Sequence, residues 1–304
     1  KEKINWESNY FWRVRANAGE WMGPHEFSTG DSSVIFSNDV SAVEIVTHNP
    51  EFTYNGITIF GVINPFYSAA IDMNGREIWN SGGIDSYMFL NIDNRHTFLG
   101  NANLPPKYKG ELGVEFDIKD GVIWSQPTYG DEEDFLQHEM IKLSNGNYMG
   151  FVITYKEHFV PNSDDFPQIP DSYDFPFEDN IDGWDGSFDY PWIWKGDKIV
   201  EWDNNGNEVW SWDPFDHYNL NDFDYQSSFW EYAAFEGKPF DWTHFNSLIY
   251  NESENAIYVS SKNLSRITKI NKESGDIIWN IGKQWLGDEV ITPEIKFSGQ
   301  HGLQ

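Results

Sequence analysis

Apolar and polar residues alternate at a period of two along most of this chain, and the alternation is broken by short polar turns. That period sends successive side chains to opposite faces of a β-strand. Four segments share one pattern: AIDMNGREIWN (Ala70–Asn80), EFDIKDGVIWS (Glu115–Ser125), EWDNNGNEVWSW (Glu201–Trp212) and KINKESGDIIWN (Lys269–Asn280). Each reads as a strand, a polar turn ending in Gly75, Gly121, Gly206 or Gly275, and a second strand carrying Trp79, Trp124, Trp210 or Trp279. Asn-Gly and Asp-Gly steps predict tight hairpins, because the turn needs a positive φ that glycine adopts without steric cost.

A further hairpin precedes three of these: MFLNIDNRHTFLG, MIKLSNGNYMGFVITY and SLIYNESENAIYVSS. Two hairpins in succession make a four-stranded antiparallel unit. Its recurrence predicts an all-β protein, a β-propeller of four-stranded blades. A β-sandwich accounts for the alternation but not for the recurrent turn-to-Trp spacing. Residues 57–80 supply the end of one blade, 86–125 a second, 135–212 a third and 242–281 a fourth. Residues 297–304 read as the first strand of a fifth, so the chain is expected to cover only part of a ring. The domain reading is an N-terminal β-rich segment or module at 1–55, then a propeller domain at 56–304, incomplete at its C-terminus. Insertions rich in acidic and aromatic residues occupy 156–195 and 213–239. Loops of that length in a compact domain are functional or mobile.

Composition narrows the partners. The 304 residues include 15 Trp, 15 Tyr and 23 Phe, and 49 Asp and Glu stand against 20 Lys and Arg for a formal charge of −29. A field of that sign opposes nucleic acid and anionic membranes. There are no cysteines, which excludes disulfides, thiolate metal sites and a cysteine nucleophile. No run of about 18 apolar residues offers a membrane span. The opening KEKINWESNYFW has no apolar stretch of the signal-peptide kind, so the numbering is expected to begin beyond any leader.

Aligning the first strands of successive blades puts three histidines at one repeat position: His138 in FLQHEMIKLSNGN, His244 in DWTHFNSLIYNESEN and His301 in FSGQHGLQ. Equivalent positions of a radial repeat share radius and height, so these three imidazoles are expected to converge near an axis. A lone histidine on an apolar strand is more often a satisfied core residue, but three in register out of eight reverse that balance. His25, His48, His96, His158 and His217 follow no register and read as surface or loop residues. Histidine clusters also hold metals, so a three-histidine zinc or copper site competes with a catalytic one. Glu139 is expected on the opposite strand face from His138.

The stretch from Asp241 to Gly282, with FSGQHG after it, resembles the arylsulfotransferase family of bacterial six-bladed propellers. The family pattern is Asp-x-x-His-x-Asn-Ser, then Ser-Ser-Arg on the next strand, a Gly-x-x-x-Trp hairpin and a later Gln-His. QHEMIKLSNGNYMGF resembles its earlier histidine element. The likeness covers roughly residues 57–304 and is strongest from 240 onward. It implies transfer of a sulfuryl group from a phenolic sulfate ester to a phenolic or other hydroxyl acceptor, without phosphoadenosine phosphosulfate and with no cofactor required. It implies a sulfohistidine on His301, with His138 and His244 assisting. The family arginine falls on Lys262 in VSSKNLSR, which keeps the charge and loses the bidentate fork. Arg266, four residues on, is a candidate to take its place. Asn246 and Trp242, beside His244, join Arg266 as candidate substrate-binding residues. The resemblance also implies an extracytoplasmic location, periplasmic or secreted, and a homodimer.

The chemistry is consistent with the residue types. A neutral imidazole is a competent nucleophile near pH 7, covalent capture divides one transfer into two steps, and a second histidine protonates a phenolate of pKa about 10 as it leaves. Lys262 is the candidate clamp for the sulfuryl oxygens. Two rivals stand beside this reading. One is a polysaccharide lyase using histidine, a cation and Tyr148 or Tyr250. The other is a non-catalytic propeller that binds carbohydrate or protein through its aromatic loops. Asp179, Asp182, Asp185 and Asp189 form a weak candidate site for a structural Ca²⁺.

Overall fold

The computed structural model describes residues 8–29, 35–36, 40–41, 45–62, 67–81, 86–92, 97–103, 111–117, 121–128, 136–159, 191–220, 222, 224, 239–283 and 297–303. Among the described residues the protein is all-β apart from one short helix. In chain order the strands are Asn9–Val14 (β1), Met22–Ser28 (β2), Ile35–Phe36 (β3), Val40–Ser41 (β4), Ile57–Val62 (β5), Tyr67–Asp72 (β6), Glu77–Asn80 (β7), Ser86–Ile92 (β8), Phe98–Asn103 (β9), Glu111–Asp117 (β10) and Gly121–Ser125 (β11). Then come Leu136–Lys142 (β12), Tyr148–Phe159 (β13), Pro191–Trp202 (β14), Glu208–Trp212 (β15), helix Pro214–His217 (α1), Phe240–Asp241 (β16), Phe245–Asn251 (β17), Ala256–Ser261 (β18), Arg266–Asn271 (β19) and Ile277–Gly282 (β20).

The four expected Gly-Trp hairpins are β6–β7, β10–β11, β14–β15 and β19–β20. Gly75, Gly121, Gly206 and Gly275 all have φ between 73° and 81°, as the turns require. Side chains before the glycines hold the turns: Asp203 Oδ1 accepts the N–H groups of Asn205 and Asn207, and Asn271 Oδ1 those of Glu273 and Ser274. Three sheets keep the order of consecutive strands, β8–β11, β12–β15 and β17–β20, and β5–β7 form a three-stranded sheet.

The chain divides into two compact units, 1–90 with 101–108, and 91–100 with 109–304. In the first, β1–β2 and β3–β4 are two-stranded hairpins, which lie within the expected N-terminal β-rich segment. In the second, a core of Phe151, Trp194, Trp212, Trp242, Phe245, Leu248 and Val259 among others joins the two large sheets. The first strands of those sheets, β12 and β17, pack together, and Glu139 Oε2 accepts the Leu248 N–H at 2.7 Å. The signature tryptophans are half-buried; Trp124 stacks on Tyr148 with ring centroids 3.7 Å apart.

The insertions begin and end differently from the expectation. β13 and β14 stay paired out to Phe159↔Pro191, so 156–159 and 191–195 are ladder rather than loop. The stretch 160–190, with the candidate Ca²⁺ ligands Asp179, Asp182, Asp185 and Asp189, lies outside the described residues. In the second insertion, Asp213 caps α1 by accepting the Phe215 N–H, and β16 returns parallel to β14 with Lys195 opposite Asp241.

Candidate active site

His138 stands within a register irregularity of β12, and His244 stands one residue before β17, just ahead of that strand's irregularity. The β12–β13 register shifts between Gln137 and Met140, and the β17–β18 register between Phe245 and Ser247. Both histidines have left-handed backbones, with φ of 55° and 47°. For residues other than glycine such conformations cost free energy and persist only where surrounding bonds enforce them. At His244 the enforcement is visible. Buried Asp197 accepts the Thr243 hydroxyl at 2.7 Å and the Phe245 N–H at 2.8 Å, so the residues on either side of His244 are fixed to β14.

The three histidines meet. Ring centroids are 4.9 Å apart for His138–His244, 5.6 Å for His138–His301 and 6.0 Å for His244–His301. The Nε2 atoms of His138 and His244 lie 3.2 Å apart, within hydrogen-bond distance. His244 Nδ1 donates to Asp241 Oδ2 at 2.5 Å, and Lys195 Nζ sits 3.2 Å from the other carboxylate oxygen of Asp241. The ring of His301 makes no hydrogen bond among the described residues, which leaves its nitrogens available. Lys262 is partly buried, donates through its backbone N–H to the His244 carbonyl at 3.1 Å and through Nζ to Asn263 Oδ1 at 3.1 Å.

The electrostatics follow from this crowding. Burial pushes His138 down to about 4, reinforced by the charges of His244 and His301. His138 is exposed to solvent on one side, so this reflects the density of protein and cations around it rather than enclosure. His301 is lowered as well, by desolvation and by His244 and Lys262. Burial alone raises Asp241, but the His244 hydrogen bond and Lys195 outweigh it and hold the carboxylate ionised. Asp197 is raised by burial and by the charge of Asp241. Desolvation pulls Lys262 below the usual lysine value, with Asp241 opposing.

Not every expected site residue lies at this hub. Asn246 is buried and donates its side-chain N–H to the Gln300 carbonyl at 2.7 Å, so it holds the segment next to His301 rather than facing a ligand with that group. Trp242 is fully buried, stacks on Phe215 and donates Nε1–H to the Asp222 carbonyl. Arg266 is also fully buried, on the inward face of β19, with Nη2 2.7 Å from Asp222 Oδ2. Neither side chain is placed to touch substrate, because both belong to the core. The tyrosines invoked for a lyase are committed elsewhere. Tyr148 is buried with its hydroxyl donated to Glu115, and Tyr250 donates to Asn255 at a hairpin end. Among the described residues no three His, Asp or Glu groups converge as metal ligands would.

Three residues at the hub were not anticipated. Asp241 lies three positions before His244, inside the quoted DWTH motif, so a signal for it existed. Lys195 reaches the hub only through the parallel β14–β16 contact, which no local pattern announces. Gln300 donates Nε2–H to Ser260 Oγ, the Ser261 carbonyl and the Arg266 carbonyl, at 2.8–3.1 Å.

Fold and site together give an all-β protein in which three histidines from distant parts of the chain meet: His138 within β12, His244 one residue before β17, and His301 in 297–303, which form no strand, contrary to the expected first strand of a fifth blade. Residues 193–290 match the model of the family described as Arylsulfotransferase (ASST). The match includes His244, Asn246 and Lys262, and stops short of His138 and His301 on either side. No curated protein matches the chain. Among solved structures it is similar to a protein of unknown function from Bacteroides caccae, at 14% identity over 71% of this chain and 53% of that one, with a TM-score of 0.37. It is also similar to the Kuenenia stuttgartiensis hydrazine synthase, at 10% identity over 68% of this chain and 46% of that one, with a TM-score of 0.38. The chain thus spans about half the length of these two solved structures. No described helix is long and apolar enough to cross a membrane.

Proposed function

We propose that this protein moves a sulfuryl group from a phenolic sulfate ester to a phenolic or other hydroxyl acceptor, and that its four-stranded sheets are blades of a β-propeller with the histidines at the hub. The observation that carries the reading is the convergence of His138, His244 and His301, within 4.9–6.0 Å of one another, next to Lys262 and inside or beside a stretch of arylsulfotransferase sequence.

In the first step a lone pair of the His301 ring attacks sulfur. An N–S bond forms, the S–O bond to the phenol breaks, and the departing oxygen receives a proton from the His138–His244 pair. In the second step the acceptor hydroxyl attacks the same sulfur, gives its proton to that pair, and releases His301. Lys262 offers positive charge to the sulfuryl oxygens, where charge accumulates during transfer. The depressed pKa of His301 favours its neutral, nucleophilic form. An extracytoplasmic location accompanies this reading.

Brief exposure to a chromogenic aryl sulfate tests it. The expected result is a mass increase of one sulfuryl group on the peptide containing His301, together with phenol release that His301→Ala abolishes without loss of fold. Full activity in His301→Ala would falsify the mechanism. Retention of a glycan or protein without turnover would instead support the binding-propeller alternative.

A further inference from the structure

The two assisting histidines are not equivalent, and their hydrogen bonds give each a separate task. His244 uses both ring nitrogens on protein: Nδ1 on Asp241 Oδ2 at 2.5 Å and Nε2 on His138 Nε2 at 3.2 Å. His138 uses only Nε2, so its Nδ1 is the one nitrogen of the pair without a protein partner among the described residues, on a residue exposed to solvent. An ionised carboxylate only accepts, so the bond to Asp241 requires the proton on His244 Nδ1. The 3.2 Å contact between the two Nε2 atoms then holds one proton between them.

We propose that Asp241 is a positioning residue which, clamped by Lys195, fixes His244 as the charge store of a two-imidazole relay, while His138 Nδ1 is the port that exchanges protons with substrate. The loaded relay carries one positive charge on His244, above Asp241. When the phenolate leaves, His138 Nδ1–H passes its proton to the oxygen. In the same movement the His244 Nε2 proton passes to His138 Nε2, so no imidazolate forms and the pair becomes neutral. The acceptor hydroxyl returns a proton to His138, and the hop reverses. Protons balance over the cycle, and no further reactant is needed.

Lys195 makes the arrangement tolerable. Asp241 and the fully buried Asp197 are two carboxylates in one region, and the ammonium of Lys195, facing both, offsets them. Its own pKa stays above normal despite desolvation, because both carboxylates favour the charged form. This is the logic by which a buried carboxylate sets the tautomer of a catalytic imidazole.

The inference uses the sulfuryl-transfer reading for its kinetic arm and is independent of it in its spectroscopic arm. In the kinetic arm, sulfation of His301 is compared between the native protein and Asp241→Asn, with a nitrophenyl sulfate and with unsubstituted phenyl sulfate. Protonation matters most for the more basic phenolate. The phenyl sulfate rate is therefore expected to fall roughly 10²–10⁴-fold, and the nitrophenyl sulfate rate by less than about tenfold. Equal losses for both donors would overturn the relay, since a merely structural role does not depend on the leaving group. In the spectroscopic arm, ¹⁵N NMR of the unmutated protein, assigned with His244→Gln, reads the ring protons directly. The relay requires Nδ1–H on His244, and Nε2–H alone on that ring overturns it. The required ¹⁵N pattern with no turnover of any aryl sulfate upholds the relay geometry and overturns the sulfuryl-transfer reading.

Discussion

Asn246 donates its side-chain N–H to the backbone carbonyl of Gln300 at 2.7 Å, so strand β17 grips the chain one residue before the third hub histidine. The Gln300 side chain completes the grip with three N–H contacts to Ser260, Ser261 and Arg266 on the neighbouring strands. His301 itself sits between Gly299 and Gly302, both at positive φ, and has no ring hydrogen bond of its own among the described residues. Its placement therefore comes from its neighbours: Gln300 on one side and, on the other, the Leu303 N–H donated to Ser247 Oγ at 2.9 Å.

Gln300→Ala is expected to release His301 while leaving the His138–His244 contact in place. Loss of buried hydrogen bonds to carbonyls costs about 1–3 kcal/mol of stability. The rate of His301 labelling by an aryl sulfate should fall at least tenfold, since small misplacements of a reacting group are expensive. Denaturant midpoints and labelling kinetics on the same variant separate the two effects. Unchanged labelling would show that the segment is held by other means.

The buried pair Arg266–Asp222 gives a prediction of a different kind. Both side chains are fully excluded from solvent, with Nη2 and Oδ2 2.7 Å apart. Removing one partner leaves a bare charge in the core, so Asp222→Ala is expected to cost about 3–5 kcal/mol. Arg266→Met combined with Asp222→Ala should recover much of that loss, because neither charge then remains. Urea titrations of the single and double variants check this. If Arg266 served as a substrate clamp instead, the double variant would fold well and fail to bind a sulfate ester.

How far the sequence carried the argument follows from the range of each signal. The hairpins were legible because an Asn-Gly or Asp-Gly turn with flanking alternation is a local instruction, and the glycines do take the positive φ it demands. The meeting of His138, His244 and His301 was expected from equal register in a repeat, and the rings do meet, although only His138 lies within a strand. The burial of Arg266 was not legible, because even spacing from Lys262 says nothing about strand faces across the intervening turn at Asn263–Ser265, and β19 turns it inward. Lys195 was invisible. It comes to Asp241 through a two-residue parallel pairing at the end of an irregular insertion, and only tertiary structure creates that pairing. The signal for Asp241 was present but is shared by any Asp three residues before a histidine.

Lys262 occupies the position where the family resemblance expects arginine. A lysine offers a point charge on a flexible stem, and an arginine offers a planar fork that matches two oxygens at once. Lys262→Met is expected to lower kcat/KM for an aryl sulfate by roughly ten- to a hundredfold, the worth of one charge-assisted hydrogen bond of about 1.5–3 kcal/mol. Lys262→Arg should keep or raise it. A methionine variant as active as the native protein would remove Lys262 from the site.

The depressed pKa of His138 makes a prediction about stability against pH. Its value falls from 6.5 to about 4 on folding, because burial and the neighbouring charges of His244 and His301 disfavour the imidazolium. The unfolded chain therefore binds more protons than the folded one between those two values, and stability must rise with pH across that window. The contribution is complete above pH 6.5, declines as the pH falls toward 4, and is level below. The ring is exposed on one side, so solvent screening shrinks the effect. His138→Gln removes the titration while keeping a polar side chain of similar reach. Thermal unfolding at pH 7 and at pH 5 should then show a smaller acid-induced drop in Tm for the variant than for the native protein. Identical drops would mean that the hub does not hold His138 neutral, and the proton port assigned to its Nδ1 would lose its footing.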